Sequence, residues 1–253
     1  LERLKRTVGV PERIAIDNHP VSPARYVETY REIEPFVQMV DAQSEAGELG
    51  MCGPVMSKFE VVTAMAFAAF ADAPIDVAVV EAGMGGSWDA TNVIDATIAV
   101  ITPIGMDHSE YLGATVGEIA AEKAGVIRGP RGDLIPVETI AVIGRQPPAA
   151  MDVLLAHALR VAAVVAREDS EFAVRSRQVA IGGQVLELQG LGGVYPNIFL
   201  PLHGEHQAHN AAVALAAVEA FFGAGIQRQL DIDTVRAGFA AALSPGRLER
   251  MRS

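Results

Sequence analysis

The chain has 253 residues, half of them hydrophobic, a formal net charge of −11 and a single cysteine, Cys52. That length allows one large or two modest domains with a sizeable core. The acidic balance argues against a general nucleic-acid surface, and no apolar run approaches the roughly 20 residues of a membrane span. One cysteine excludes an internal disulfide framework and fits a reducing cytoplasm.

In chain order, Glu12 to Ile16 reads as a short edge strand and Asp17-Asn18-His19-Pro20 as a turn. Ser22 and Pro23 open a helix with Tyr26, Tyr30, Ile33, Val37 and Val40 at helical spacing. Gln43 to Pro54 is Gly- and polar-rich and reads as a loop. Ser57 followed by Glu60 has the spacing of a capping box, and the helix behind it presents Phe59, Val62, Ala66 and Phe70 as a core face. Asp72 to Pro74 end it.

The stretch Ile75 to Arg128 organises the rest. An apolar run, Val77 to Val80, ends on the carboxylate of Glu81; a Gly-rich bend and Asp89-Ala90-Thr91-Asn92 follow. A second run, Ile98 to Ile101, ends before Asp107-His108, and a helical segment then carries Glu122-Lys123. Short β-branched runs read as buried parallel strands, and polar residues just past their ends face the crevice where open α/β sheets hold ligands. A carboxylate, an imidazole and an amine gathered there suit a metal and an anionic substrate. Only three lysines occur, Lys5, Lys58 and Lys123, and an amine can give up its proton where a guanidinium cannot.

Thr139 to Ile143 and Val161 to Ala166 read as further strands around a helix from Pro147 to Leu159. The alternation predicts an α/β fold: a mostly parallel sheet flanked by helices. Phe172 to Ile181 and Gln184 to Leu188, joined at Gly182-Gly183, with Ile198 to Leu202, predict an antiparallel edge ribbon. Helices over His206 to Phe222 and Asp231 to Leu243 close the pattern.

Three separated signatures carry a resemblance. Val80-Glu81-Ala-Gly-Met-Gly-Gly with Asp89-Ala-Thr-Asn92, Ile101-Thr-Pro-Ile-Gly-Met-Asp107-His108, and Ile119-Ala-Ala-Glu-Lys123-Ala-Gly-Val-Ile127 resemble the folylpolyglutamate synthase/dihydrofolate synthase family, the folate branch of the Mur ligase superfamily. Leu202-His-Gly-Glu-His206-Gln-Ala-His-Asn210-Ala, Pro245-Gly-Arg247-Leu-Glu and Lys58-Phe59-Glu60 fit the same pattern. The resemblance implies a P-loop-like central domain over residues 1–245, followed from 246 by a linker. It implies ATP-dependent ligation of L-glutamate to a folate or to dihydropteroate through an acyl phosphate, with small molecules as the partners and neither nucleic acid nor membrane. By the same resemblance, Glu81, His108 and Lys123 serve catalysis and Mg²⁺ binding, Lys123 as a carbamylated lysine. Asn210, His206 and Arg247 contact the nucleotide, and Asp89, Thr91, Asn92 and Phe59 contact substrate.

Plain readings stand beside these. Glu81 also reads as a solvated strand end, His108 as a local cap, Lys123 and Arg247 as surface charges, and His206 and Asn210 as helix-start residues. The sequence has no Gly-Lys-Ser/Thr phosphate loop, and Ser87 and Ala82 stand where the family commonly has Arg and Val. Three expectations follow: the middle of a folate–glutamate ligase, a noncatalytic remnant or folate-binding module, or a relative that ligates amino acids to cell-wall precursors.

Overall fold

A computed structural model describes residues 10–47, 53–129, 138–223 and 228–244. It packs as two compact units, one formed by residues 1–84 and 89–93, the other by 85–88 and 94–253. Cys52, Arg247 and the segment from 246 onward lie outside the described residues.

The first unit starts with a 3₁₀ turn, Val10–Arg13, and a two-residue ladder of β1 (Ala15–Ile16) with β2 (His19–Pro20). Asp17 and Asn18 turn the chain between them with φ of 51° and 62°, a conformation their short polar side chains tolerate. Helix α1 (Pro23–Glu45) begins at the Ser22 cap, whose Oγ accepts the Arg25 N–H at 3.1 Å. Helix α2 (Lys58–Asp72) has the expected capping box at Ser57 and Glu60. Its buried residues are Val62, Thr63, Met65 and Ala69, so the core face lies one step round from the expected stripe. Val62, Met65 and Ala69 pack with Ile14 and Ile33 into a small core.

The expected strand Val77–Val80 is not one. Among the described residues no strand pairs with it, and Val79 is 92% exposed. A β-branched run prefers extended backbone but becomes a strand only where a neighbour takes up its N–H and C=O groups.

The second unit holds the parallel sheet, in the order β3 (Ile98–Ile101), β4 (Ile140–Ile143), β5 (Val164–Arg167). Between β3 and β4 run α3 (Ser109–Leu112) and α4 (Val116–Lys123), the latter with a second capping box at Thr115 and Glu118. Helix α5 (Pro148–Arg160) crosses over from β4 to β5. The antiparallel ribbon is a sheet of its own: β6 (Ala173–Ala180), β7 (Gly183–Gln189) and β8 (Val194–Leu200). Its first turn is Ile181-Gly182, with Gly182 at φ 82° and Gly183 already in the ladder. Helix α6 (Glu205–Phe221) packs on both sheets, burying Ala208, Ala211, Ala212, Val213, Leu215 and Ala216 in one core with Val142, Leu186 and Ile198. Helix α7 (Ile232–Ala240), capped by Asp231, lies on β8.

Candidate functional site

In the first unit a cavity of about 490 Å³ is lined by Phe59, Phe67, Glu81, Gly83 and Thr91, with Glu12 and Arg13 at its rim. Three expected site residues, Phe59, Glu81 and Thr91, therefore share one hollow. Gly83 makes room for the Phe59 ring: a Cβ there would lie 2.4 Å from Phe59 Cζ, so a larger residue would displace the ring. Glu81 is exposed and has no hydrogen-bond or ion-pair partner among the described residues. A bare carboxylate of this kind suits a hard, oxygen-preferring cation.

Asp89 is different. It is buried, and its oxygens accept the Thr91 N–H at 2.9 Å, the Thr91 hydroxyl at 2.5 Å and the Met84 N–H at 2.8 Å. Its main-chain carbonyl also accepts the Asn92 N–H at 2.8 Å. This carboxylate shapes the loop that carries Thr91 and Asn92.

In the second unit the turn Gly85-Gly86-Ser87 interlocks with the end of α4. Glu122 Oε1 accepts the Ser87 N–H at 2.9 Å and the Gly86 N–H at 3.3 Å. The Glu122 carbonyl accepts the Ser87 hydroxyl at 3.2 Å. A Cβ on Gly86 would lie 2.7 Å from the Glu122 carbonyl oxygen, and one on Gly125 would lie 2.5 Å from Ser87 Cα. The Gly-Gly pair and the Glu-Lys-Ala-Gly tetrad are thus two halves of one joint. Lys123 is the last residue of α4, half-buried, with no side-chain partner among the described residues. His108 sits at φ 51°, ψ 35°, left-handed for a non-glycine. The Asp107 carboxylate accepts its N–H at 2.8 Å and lies 3.7 Å from its Nε2.

The C-terminal ends of the parallel strands meet the first turns of α6. His206 and Asn210 are both exposed on this helix, and Asn210 Nδ2 donates to Gln207 at 3.2 Å. Gly204, at φ 101°, starts the helix without a side-chain cap, and a Cβ on it would meet the folded-back His206 ring. Behind these exposed groups lies a polar cluster that the sequence did not flag. Glu168 has a fully buried side chain just past β5; it accepts the Arg145 N–H at 3.0 Å and faces His209 Nδ1 at 2.5 Å. Arg145, just past β4, grips Asp169 at 2.5 and 2.9 Å and reaches His209 Nε2 at 3.1 Å. Hydrogen bonding to Asp169 raises the Arg145 pKa, and the same bonds hold the Asp169 carboxyl below its usual range.

Among the described residues no group of three or more His, Cys, Asp and Glu side chains is gathered closely enough to hold a metal ion. Any metal would be held by donors such as Glu81 together with groups outside that set. Three further acids were missed: Glu122, Glu168 and Glu219. Glu219, fully buried on α6, accepts the Tyr195 hydroxyl at 2.6 Å and the Leu191 and Gly192 N–H groups at 2.5 and 3.1 Å. Burial first, and then Glu219, pushes the Tyr195 phenol pKa up. A lone Glu inside the run Ala216-Ala-Val-Glu219-Ala-Phe was the one sequence signal for it.

Comparison with known proteins gives the family. The Mur ligase middle domain model matches residues 53–218. A Mycobacterium tuberculosis protein, dihydrofolate synthase/folylpolyglutamate synthase, is 71% identical over 243 residues, covering 96% of this chain and 49% of that protein. The structure of Mycobacterium tuberculosis folylpolyglutamate synthase complexed with ADP and AMPPCP superposes with a TM-score of 0.86 at 68% identity, covering 96% of this chain and 52% of that one. An FPGS–AMPPCP–folate complex superposes with a TM-score of 0.82 at 30% identity, covering 96% and 56%. The chain spans about half the length of the curated relatives it matches. No helix among the described residues is long and apolar enough to cross a membrane.

Proposed function

The chain belongs to the Mur ligase middle-domain family, and from that premise we propose that it is the central part of an ATP-dependent ligase joining L-glutamate to a folate or to dihydropteroate. The carboxylate of the acceptor attacks the γ-phosphorus of ATP and ADP leaves. The amine of glutamate then attacks the resulting acyl phosphate, forming the amide and releasing inorganic phosphate. The observation that carries the reading is the joint between Gly85-Gly86-Ser87 and Glu122-Lys123-Ala124-Gly125, which locks two of the likeness-bearing motifs together.

In this reading the cavity lined by Phe59, Glu81 and Thr91 receives the flat ring system of the acceptor or the metal end of the reacting groups. Asp89 acts on substrate indirectly, by holding Thr91 and Asn92 in place. By the resemblance, Glu81 of the first unit would be a Mg²⁺ ligand, and His108 and Lys123 are the candidate ligands of the second. When bound, the ion neutralises charge that builds up on the phosphate oxygens during transfer. By the resemblance Lys123, half-buried at the end of α4, would be carbamylated, which turns the cation into a carboxylate-like ligand. His206 and Asn210 on α6, with Arg247, would contact the nucleotide. The setting is cytoplasmic, in line with the single cysteine.

The test assays the full-length gene product with dihydropteroate, tetrahydrofolate and a UDP-muramoyl substrate, each with ATP and an amino acid. Glutamylated folate or dihydropteroate, lost in Lys123→Ala, is the expected result. Turnover of the UDP-muramoyl substrate alone would replace this reading with cell-wall ligation. The 253-residue chain by itself is expected to be inactive, since it spans about half of its relatives. The DNA upstream of Leu1 tells a longer ligase from a remnant: an in-frame Gly-Lys-Ser/Thr loop belongs to the former.

A further inference from the structure

We propose that Glu168, His209 and Arg145 form a latch that fixes the first two turns of α6, and so positions His206 and Asn210. This rests on the reading above for what those two residues touch, but not for the latch itself. A guanidinium only donates, so the His209 Nε2 that faces Arg145 Nη1 at 3.1 Å must accept. The proton of the neutral ring then sits on Nδ1 and is donated to Glu168 Oε1 at 2.5 Å. Glu205 Oε1, 3.8 Å from Nε2, is too far to compete for it. Asp169 in turn holds the guanidinium in the plane that lets it reach the ring.

Glu168 belongs to the end of β5 and Arg145 to the end of β4, so the latch ties helix to sheet on one side. Gln184 of β7 does the same on the other, its buried amide donating to the carbonyls of Leu202 and Gly204 at 3.0 and 3.2 Å. The first turn of α6 is clamped between the two sheets, leaving its exposed face, with His206 and Asn210, fixed in direction. Ligands of open α/β sheets lie outside the carboxyl ends of the strands, where this clamp sits. His209, Glu168 and Arg145 are therefore positioning residues.

Two measurements test this. Nitrogen-15 NMR of the 253-residue chain at pH 8 reads the His209 tautomer directly, with the peak assigned by its loss in His209→Asn. The Nδ1–H form is expected, and Arg145→Met should shift it toward a mixture; the ordinary Nε2–H form in the parent chain would overturn the latch. In the full-length protein, His209→Phe should raise the KM for ATP about tenfold with kcat little changed, the effect of losing one hydrogen bond to a buried charge. His209→Asn, whose amide nitrogen overlies Nδ1, should restore most of the KM. An unchanged KM in a well-folded His209→Phe overturns the positioning role. If the full-length protein has no ATP-dependent activity at all, the functional reading falls while the tautomer result still judges the latch.

Discussion

Ile98–Ile101 and Ile140–Ile143 spell the same four residues, Ile-Ala-Val-Ile, and Val77–Val80 spells nearly the same chemistry, yet the three segments end up in different states. Residues 140–143 form the middle strand with a ladder on each side, and Val142 is 0% exposed. Residues 98–101 pair on one side in the same sheet, and Val100, directly opposite Val142, is 41% exposed. Residues 77–80 have no ladder among the described residues. Composition makes a segment able to be a strand; its neighbours decide whether it is one.

The sharpest way to break that comparison is one substitution at all three sites. Val142→Asp buries an unpaired carboxylate and is expected to remove at least ~4 kcal/mol, enough to exhaust a typical domain's stability. Val100→Asp, at a half-open site, should cost about 1 kcal/mol, and Val79→Asp should stay within about 0.5 kcal/mol. Urea midpoints of the three variants read the gradient. A Val79→Asp cost equal to that of Val142→Asp would mean that Val77–Val80 finds a covering partner in solution.

The antiparallel sheet sharpens the same lesson with a polar neighbour. Tyr195 of β8 donates its hydroxyl to Glu219 and accepts the Leu230 N–H at 2.9 Å. Tyr195→Phe keeps the ring and the ladder but leaves both partners short, at about 1–3 kcal/mol in thermal unfolding. If the strand's own ladder were all that mattered, this variant would melt like the parent.

Smaller in stability, but larger in function, is Glu122→Ala. The buried Gly86 and the exposed Ser87 lose their side-chain acceptor, at about 1 kcal/mol. Ligation by the full-length protein should nevertheless fall about a hundredfold, the loss that follows when a reacting group is displaced by roughly 1 Å. Glu122→Gln, which keeps the accepting oxygen, should recover most of the rate. Equal losses in both variants would indicate that the charge, and not the loop position, is what Glu122 supplies.

Much of this was legible in the chain itself, and the boundary is physical. Capping at Ser57 and Glu60, the start of α1 at Ser22, and the β-α alternation all depend on residues a few positions apart. Phe59, Glu81 and Thr91, singled out from separate short motifs, line one cavity, a grouping that the fold supplies. What stayed hidden was decided at long range. Glu122 meets Gly86 from 36 residues away, His209 meets Glu168 from 41, and Arg145 meets His209 from 64. A carboxylate at a strand end looks solvated in a sequence, and only the fold reveals which buried donors it faces. Val77–Val80 is the converse, a good strand sequence with no ladder partner among the described residues.

The smallest expected effect lies at the ends of the two central strands. Asp169, past β5, carries a carboxyl held below its usual range chiefly by its hydrogen bonds to Arg145, past β4. A depressed folded-state pKa contributes stability above the unfolded-state value of about 3.9 and loses it as pH falls through the lower, folded value. Asp169→Asn should therefore melt below the parent at pH 7, and the gap should close below about pH 4. Both side chains are 49% exposed, so solvent screening keeps the difference under about 1 kcal/mol. Arg145→Met should lose the same pH-dependent increment, because the shift belongs to the pair. A gap that persists unchanged at pH 2.5 would assign Asp169 a packing role instead. The coupling past the ends of β4 and β5 would then rest on Glu168 alone, the carboxylate that touches both the Arg145 backbone and the α6 histidine.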